Sequence, residues 1–292
     1  TAYAILYLQQ QGKLSIDDYV AKYLPRFPFK NITIRHLLTH TSGLPNSEKS
    51  MWKDYDTKSI NGNVQMLDML ETNKYPLQWE PGQKWEYSDI GYCTLGTLIE
   101  VVSGERYDMF MKKHLFYPAK MENTTAELYT DIRKIDPSNL SIGYEYDAIK
   151  NKYLPADLLP KNSFVQYLGG FYGDGSVVST ADDLLKWDQE LYNNKIITKE
   201  SVEQSMTPSR LNDGKLIEEW GGNYGIGWGL FSHPELGKMM VHGGYQPGFL
   251  SKFMRFTDQK ITVIILSNTS DDAFWTYTNI ADGLLINDNK KK

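Results

Sequence analysis

Apolar positions at Ala2, Ile5, Leu6 and Leu8 follow a helical period, and Gly12 supplies a left-handed stop just past the last turn. Ser15, with Asp18 three residues later, reads as a capping box with Asp in the place of Glu, which predicts a short helix toward Tyr23 before Pro25. Thr33 is placed to cap a helix carrying His36, Leu37 and Leu38. The stretch 46–63 is polar and aperiodic and predicts a surface excursion. Val64 to Thr72 resumes the helical period, Pro81-Gly82 marks a turn, Ile90 to Val102 predicts an apolar helix ending near Gly104, and Tyr107 to Phe116 predicts another. Between Met121 and Phe164 aromatics are scattered without period, which predicts turns and short strands. Thr180 to Tyr192 predicts a helix with Thr180 as cap, Asp182 and Asp183 in the first turn, and Leu184, Leu185 and Leu191 on its apolar side.

From Tyr224 the texture changes. YGIGWGLF, KMMVHGG, FLSKFMRF and KITVIILSN are short β-rich runs divided by turn residues, with Asp258-Gln259-Lys260 as a hairpin turn. Ala273 to Ile286 predicts a closing helix before a polar tail. Helices first and an antiparallel sheet afterwards predict an α+β fold. One domain over 1–292 is expected, with a helical lobe at about 13–195 and the sheet and closing helix at about 220–287.

Composition narrows the class. The chain has 292 residues, 41% apolar, 13% aromatic and 23% charged, which are globular values. A net charge of -5 gives no basic field for a nucleic acid. No apolar run reaches the roughly 18 residues of a membrane span. The first residues show neither a basic n-region nor a cleavage site, so no signal peptide is expected within the chain. Cys93, the one cysteine, excludes an internal disulfide and sits in an apolar pattern as a small buried hydrophobe.

Ordered motifs run along nearly the whole chain: Thr1-Ala2, Gly12-Lys13-Leu14, Tyr23-Leu24-Pro25, ITIRHLLTHTSGLP from Ile32 to Pro45, Tyr87-Ser88-Asp89, Gly169-Gly170, GSVVSTADD from Gly175 to Asp183, and His242-Gly243-Gly244-Tyr245-Gln246-Pro247-Gly248-Phe249. Together they resemble the serine β-lactamase and penicillin-binding-protein-like hydrolases of the class C and esterase type. That resemblance implies a β-lactamase/transpeptidase-like fold whose N-terminal strands are absent here, with Ile261 to Leu266 left as an apolar sheet edge that invites oligomerisation. It also implies that the reactive Ser-x-x-Lys lies upstream of Thr1, so that the chain alone is inactive, and that the parent works in the periplasm or outside the cell.

The resemblance assigns roles to particular residues. Tyr87 matches the tyrosine of Tyr-x-Asn, general base toward serine and then acid toward the leaving group. A free phenol near pKa 10 needs nearby positive charge for this work, and without the upstream lysine Tyr87 is expected to revert toward an ordinary tyrosine. Asp89 replaces the usual asparagine with a group that only accepts hydrogen bonds when ionised, which disfavours β-lactam side-chain amides and favours a cationic partner. On the bland reading Asp89 is a helix N-cap. His242-Gly243-Gly244 matches Lys-Thr-Gly in its His-x-Gly form. His242 would bond the tyrosine or a substrate carboxylate, Gly243 and Gly244 would let substrate approach, and Tyr245 would lend its N–H to an oxyanion hole.

Other candidates are set aside. His36 and His40 share an i, i+4 spacing but lack the companions of a zinc site, and His40 to Gly43 reads as a structural turn below the site. Ser42 and Ser179 lack a lysine three residues on. Ser50 does have Lys53 at that spacing, but no buried helical face supports it as nucleophile. No metal or cofactor is expected, and the partner is a small-molecule or peptide substrate. The reading is a serine hydrolase acting on ester, amide or β-lactam carbonyls. Its alternative is a non-catalytic binder of peptides or cell-wall fragments.

Overall fold

The computed structural model describes residues 1–45, 51–72, 74–128, 140–271, 274–276 and 278. Helix α1 (Ala2–Gln10) ends as its sequence predicts: Gly12 has φ +68°, its N–H bonds to the Gln9 carbonyl and the Lys13 N–H to the Leu8 carbonyl. This is the paired closure of a left-handed helix stop. The helix expected after Ser15 shrinks to a 3-10 turn at Val20–Lys22. Two competing bonds explain it. Asp18 does make the expected capping contact to the Ser15 N–H (2.9 Å), but it also accepts the Tyr23 hydroxyl (2.6 Å), and the Val20 N–H is taken by the Ile32 carbonyl in a bridge between Tyr19 and Thr33.

Helices α2 (Ile34–Leu38), α3 (Asn63–Glu71), α4 (Asp89–Ser103) and α5 (Tyr107–Met111), which runs on into a π-helical turn at Lys112–Phe116, form the helical lobe. Thr33 caps α2 as expected, and Gly104 closes α4 at φ +73°. The polar excursion is not all surface. In its described part Met51 and Tyr55 are buried, and so are Asn61 and Asn63. The Asn63 amide donates to the Cys93 and Tyr172 carbonyls (2.7 and 3.0 Å) and accepts the Tyr172 N–H (3.2 Å), so this polar side chain cross-links α4 to the segment after Gly170. A fully bonded amide can be buried without an apolar signal in the sequence.

A hairpin of β1 (Tyr144–Asp147) and β2 (Lys152–Pro155) precedes the short helix α6 (Phe164–Tyr167), then α7 (Ala181–Asn193) and α8 (Lys199–Ser205). On α7 the expected apolar side is partly wrong, because Leu185 is 42% exposed while Asp183 and Asp188 are buried. The inward face is held by polar contacts. Asp183 accepts from Asn123 N–H (2.7 Å) and Thr124 Oγ1 (2.9 Å), and Asp188 meets the buried Arg255 at 2.5 Å.

The sheet is an antiparallel meander of β3 (Glu218–Glu219), β4 (Gly222–Tyr224), β5 (Gly229–His233), β6 (Gly237–Gln246), β7 (Phe249–Phe256) and β8 (Ile261–Ser267) in that spatial order. Lys260 turns the last hairpin at φ +53°. Alternation sorts the two faces. Leu236, Met254 and Phe256 pack together with Met239 and Val241 on one. Met240 and Trp228 join Ile5, Leu6, Leu37, Leu95 and Leu98 in a core that ties the sheet to α1, α2 and α4 on the other. His242 shares the parity of Met240 and so faces the helical lobe. Among the described residues β8 pairs with β7 alone. Residues 274–276 and 278 are helical, and the rest of the expected closing helix lies outside the described residues.

Candidate active site

Tyr87 hangs in a loop that is laced to the turn from His40 to Gly43. The Gln78 N–H bonds to the Gly43 carbonyl (2.8 Å), Gly82 N–H to Thr41 (2.7 Å) and Glu86 N–H to His40 (2.9 Å). Gly43 is required there. It has φ +73°, and a Cβ would stand 2.2 Å from the Trp79 carbonyl oxygen. Ser88 then caps α4 by accepting the Gly91 N–H (3.2 Å), so the capping role falls to Ser88 and Asp89 is the first residue of the helix. Asp89 is left one helical position beyond the cap, beside Tyr87.

His242 comes to Tyr87 from the sheet, with ring centroids 6.5 Å apart. The strand explains why that place is open. In its pairing with β6, β5 reaches only to Gly229 opposite Val241, whereas β6 continues through Gln246 on β7. The overhang His242–Gln246 is therefore paired on one side among the described residues, and Gly243, Gly244 and Tyr245 on it are exposed. A Cβ at Gly244 would meet Ser251 Oγ at 2.5 Å, so that hydroxyl would have to turn away to admit a side chain. The Tyr245 side chain takes the opposite parity to His242, away from Tyr87, and leaves only its backbone for the expected role.

The electrostatics are set by burial and two carboxylates. Burial raises the Tyr87 phenol, and Asp89 and Asp174 add to the rise. Tyr87 is thus held more firmly protonated than an ordinary tyrosine, a stronger effect than the expected reversion. Burial lowers His242. Its Nδ1 lies 2.6 Å from the Gly243 carbonyl oxygen. A carbonyl only accepts, so Nδ1 carries the proton and Nε2 keeps a lone pair. Burial also raises the Asp174 carboxyl, whose Oδ1 is enclosed without a hydrogen-bond partner among the described residues.

The rejected candidates have structural tasks. His36 accepts the Thr33 N–H through Nδ1 (3.2 Å) in the α2 capping box. Ser42 Oγ accepts the Leu44 N–H, Ser179 Oγ bonds Thr124 Oγ1 (2.7 Å), and Cys93 is buried with its thiol pushed well up by burial. Ser50 lies outside the described residues. Among the described residues no group of three or more His, Cys, Asp or Glu is placed to hold a metal ion, and no helix is long and apolar enough to cross a membrane. Sequence reasoning undervalued His40 and did not find Asp174, Tyr92, Trp85 or Tyr224 around the site. The available signal was that His40 lies within ITIRHLLTHTSGLP and that Tyr92 lies at the start of the apolar helical run from Ile90.

Thr1, at the start of α1, reaches the same region. Its Oγ1 donates to the Gly173 carbonyl (2.5 Å) and lies 2.6 Å from the Tyr107 hydroxyl.

A family model described as Beta-lactamase matches residues 1–285. A penicillin-binding protein of Bacillus subtilis (strain 168) is 38% identical over 275 residues, which cover 93% of this chain and 59% of that protein, so the chain spans about three fifths of its relative's length. Among solved structures, a penicillin-binding protein from Bacillus halodurans superposes with TM-score 0.78 at 24% identity, over 96% of this chain and 81% of that one. A D-amino acid amidase from Ochrobactrum anthropi SV3, complexed with L-phenylalanine amide, gives TM-score 0.71 at 22% identity, over 91% and 73%. Both likenesses establish the same fold, the β-lactamase/transpeptidase-like α+β architecture.

Proposed function

Because this chain belongs to the beta-lactamase family, we propose that it forms the body of a serine hydrolase that acts through an acyl-enzyme on an ester, amide or β-lactam carbonyl, outside the cytoplasm. The observation that carries the reading is the meeting of Tyr87, on the lip of the helical lobe, with His242, on the overhang of β6. In this scheme the positive charge of the upstream lysine favours the Tyr87 phenolate, a serine on the segment leading into α1 attacks the carbonyl carbon as its proton passes to that phenolate, and the phenol then gives the same proton to the leaving group; water releases the acyl group by the reverse path. The His242 ring, with Nε2 unprotonated, stands 6.5 Å from the Tyr87 ring, centroid to centroid. Backbone N–H groups of the overhang, Tyr245 among them, are the candidates for holding the oxyanion, and the exposed Gly243 and Gly244 leave room for substrate.

The substrate class follows from the same residues. Asp89 and Asp174 make the neighbourhood of Tyr87 negative, which favours a substrate with a cationic group over one presenting an amide oxygen at Asp89. The amidase likeness is in keeping with a D-amino-acid derivative, and the penicillin-binding relatives with a cell-wall peptide. The raised Tyr87 phenol favours a second reading, a non-catalytic binder that holds such a peptide in the same cleft.

Intact mass spectrometry after incubation with an activated penicillin and a fluorophosphonate separates the readings. The chain as given is expected to stay unlabelled, and the same chain preceded by its Ser-x-x-Lys segment to gain one adduct on that serine. An adduct on this chain alone sinks the upstream assignment, with Ser50 the first peptide to map. No adduct on the longer protein, together with retained peptide binding, selects the binder.

A further inference from the structure

We infer that His40 is the positioning residue for Tyr87, a neutral imidazole that grips the loop on both sides of the tyrosine and fixes its ring by stacking. The inference rests on Tyr87 being a site residue. Three contacts from one residue converge on it. The His40 carbonyl accepts the Glu86 N–H at 2.9 Å, and its Nδ1 accepts the Ser88 N–H at 3.1 Å, so the backbone is held immediately before and after Tyr87. The imidazole lies against the phenol between them, with centroids 4.2 Å apart and planes 32° from parallel. Tyr92 stacks near the same imidazole at 4.9 Å and 25°, while Tyr224 and Trp85 meet it edge-on at 5.3 and 6.0 Å.

The backbone is part of the device. His40 has φ +56°, a left-handed conformation in which His and Asn are among the better tolerated residues. It is this turn that sends the carbonyl to Glu86 and the ring to Ser88 at once. The Ser88 N–H also fixes the proton. An imidazole whose Nδ1 accepts carries its hydrogen on Nε2, and a doubly protonated ring would present a second donor to the Ser88 donor. Charging His40 therefore breaks the grip. His40 is 2% exposed, its Nε2 has no hydrogen-bond partner among the described residues, and the nearby His242 opposes rather than offsets such a charge.

Nitrogen-15 NMR of the imidazoles tests the first part on the unmodified chain. His40 is expected as the Nε2–H tautomer with no titration between pH 5 and 8; an Nδ1–H signal or a titration in that range overturns the inference. Two substitutions divide the grip. His40→Asn keeps a short acceptor and a residue tolerant of positive φ but removes the ring, whereas His40→Phe keeps a ring and removes the acceptor. With carbon-13 at the tyrosine ζ position, assigned by Tyr87→Phe, His40→Asn is expected to shift and broaden the Tyr87 signal and move its titration toward the ordinary phenol value. His40→Phe is expected to keep the Tyr87 ring shift while hydrogen-exchange protection at Ser88 falls about tenfold or more, the scale of a lost buried bond. If either variant does not fold, the tautomer measurement still decides. An unchanged Tyr87 signal in a folded His40→Asn overturns the inference whatever the acylation assay gives. Full acylation in Tyr87→Phe sinks the proposed role of Tyr87 and leaves the positioning result standing.

Discussion

His40 and His242 both lie near Tyr87, with ring centroids 4.2 and 6.5 Å from its own, one walled in beneath a turn and the other on a strand that outruns its neighbour. Both are lowered by burial, His40 to about 3. Their protons lie on opposite nitrogens, because His40 accepts a backbone N–H through Nδ1 and His242 gives its Nδ1–H to a backbone carbonyl. The same side chain thus accepts through Nδ1 on one side and leaves Nε2 unprotonated on the other, according to a single backbone partner. Burial alone does not decide which histidine can do chemistry; the direction of that one bond does.

The comparison is broken most severely by removing the group between the two. In a chain extended by the proposed Ser-x-x-Lys segment, Tyr87→Phe is expected to slow acylation by about 10²- to 10⁴-fold, the range of a lost acid–base group, with little change in melting temperature. A loss below threefold in stopped-flow acylation ends the catalytic reading.

Acid sharpens the contrast next. The folded pKa of His40, about 3, lies below its ordinary 6.5, so between these values the unfolded chain binds a proton that the folded one does not. Stability therefore falls as pH drops from about 6.5 toward 3, by up to about 1.4 kcal/mol per pH unit from this group. Urea titrations should show that the wild-type slope exceeds that of His40→Phe by up to one proton in this window; equal slopes refute it.

Gly43→Ala forces a Cβ against Trp79 in a left-handed residue and should lower the unfolding free energy by about 1–3 kcal/mol, read from chemical denaturation. The smallest effect is expected from Asp89→Asn. Losing one of the two carboxylates that raise the Tyr87 phenol should move its ultraviolet titration down in pH, and a shift upward would contradict the assigned cause.

Much of this was legible in the chain. Helix stops at Gly12 and Gly104, caps at Thr33 and Thr180 and the four long strands follow from local residue chemistry, which acts within one turn or one hairpin. Tyr87 and His242 were legible as motifs, and the fold brings them together. What escaped depends on partners distant in sequence. Asp188 looks like an exposed helical residue until Arg255 is placed against it, and Asn63 looks like loop until it bridges Cys93 and Tyr172. His40 escaped for a different reason. Its task is defined by the donor at Ser88 and the ring at Tyr87, and spacing along the chain carries no record of either.

The three main-chain bonds between the turn at residues 40–43 and the loop at 78–86 have a consequence beyond holding Tyr87. They close the base of everything that lies between, much as a drawstring closes a bag. The cost of closing a loop grows only with the logarithm of its length, about 0.6 kcal/mol for each doubling. The exposed stretch 56–60 can then change length at small closing cost, while the buried Met51, Asn63, Met66 and Leu70 keep their places and the frame on which the phenol sits stays fixed. A protein built this way can change what its cleft admits by rewriting one enclosed stretch of chain, and the reacting groups need not move when it does.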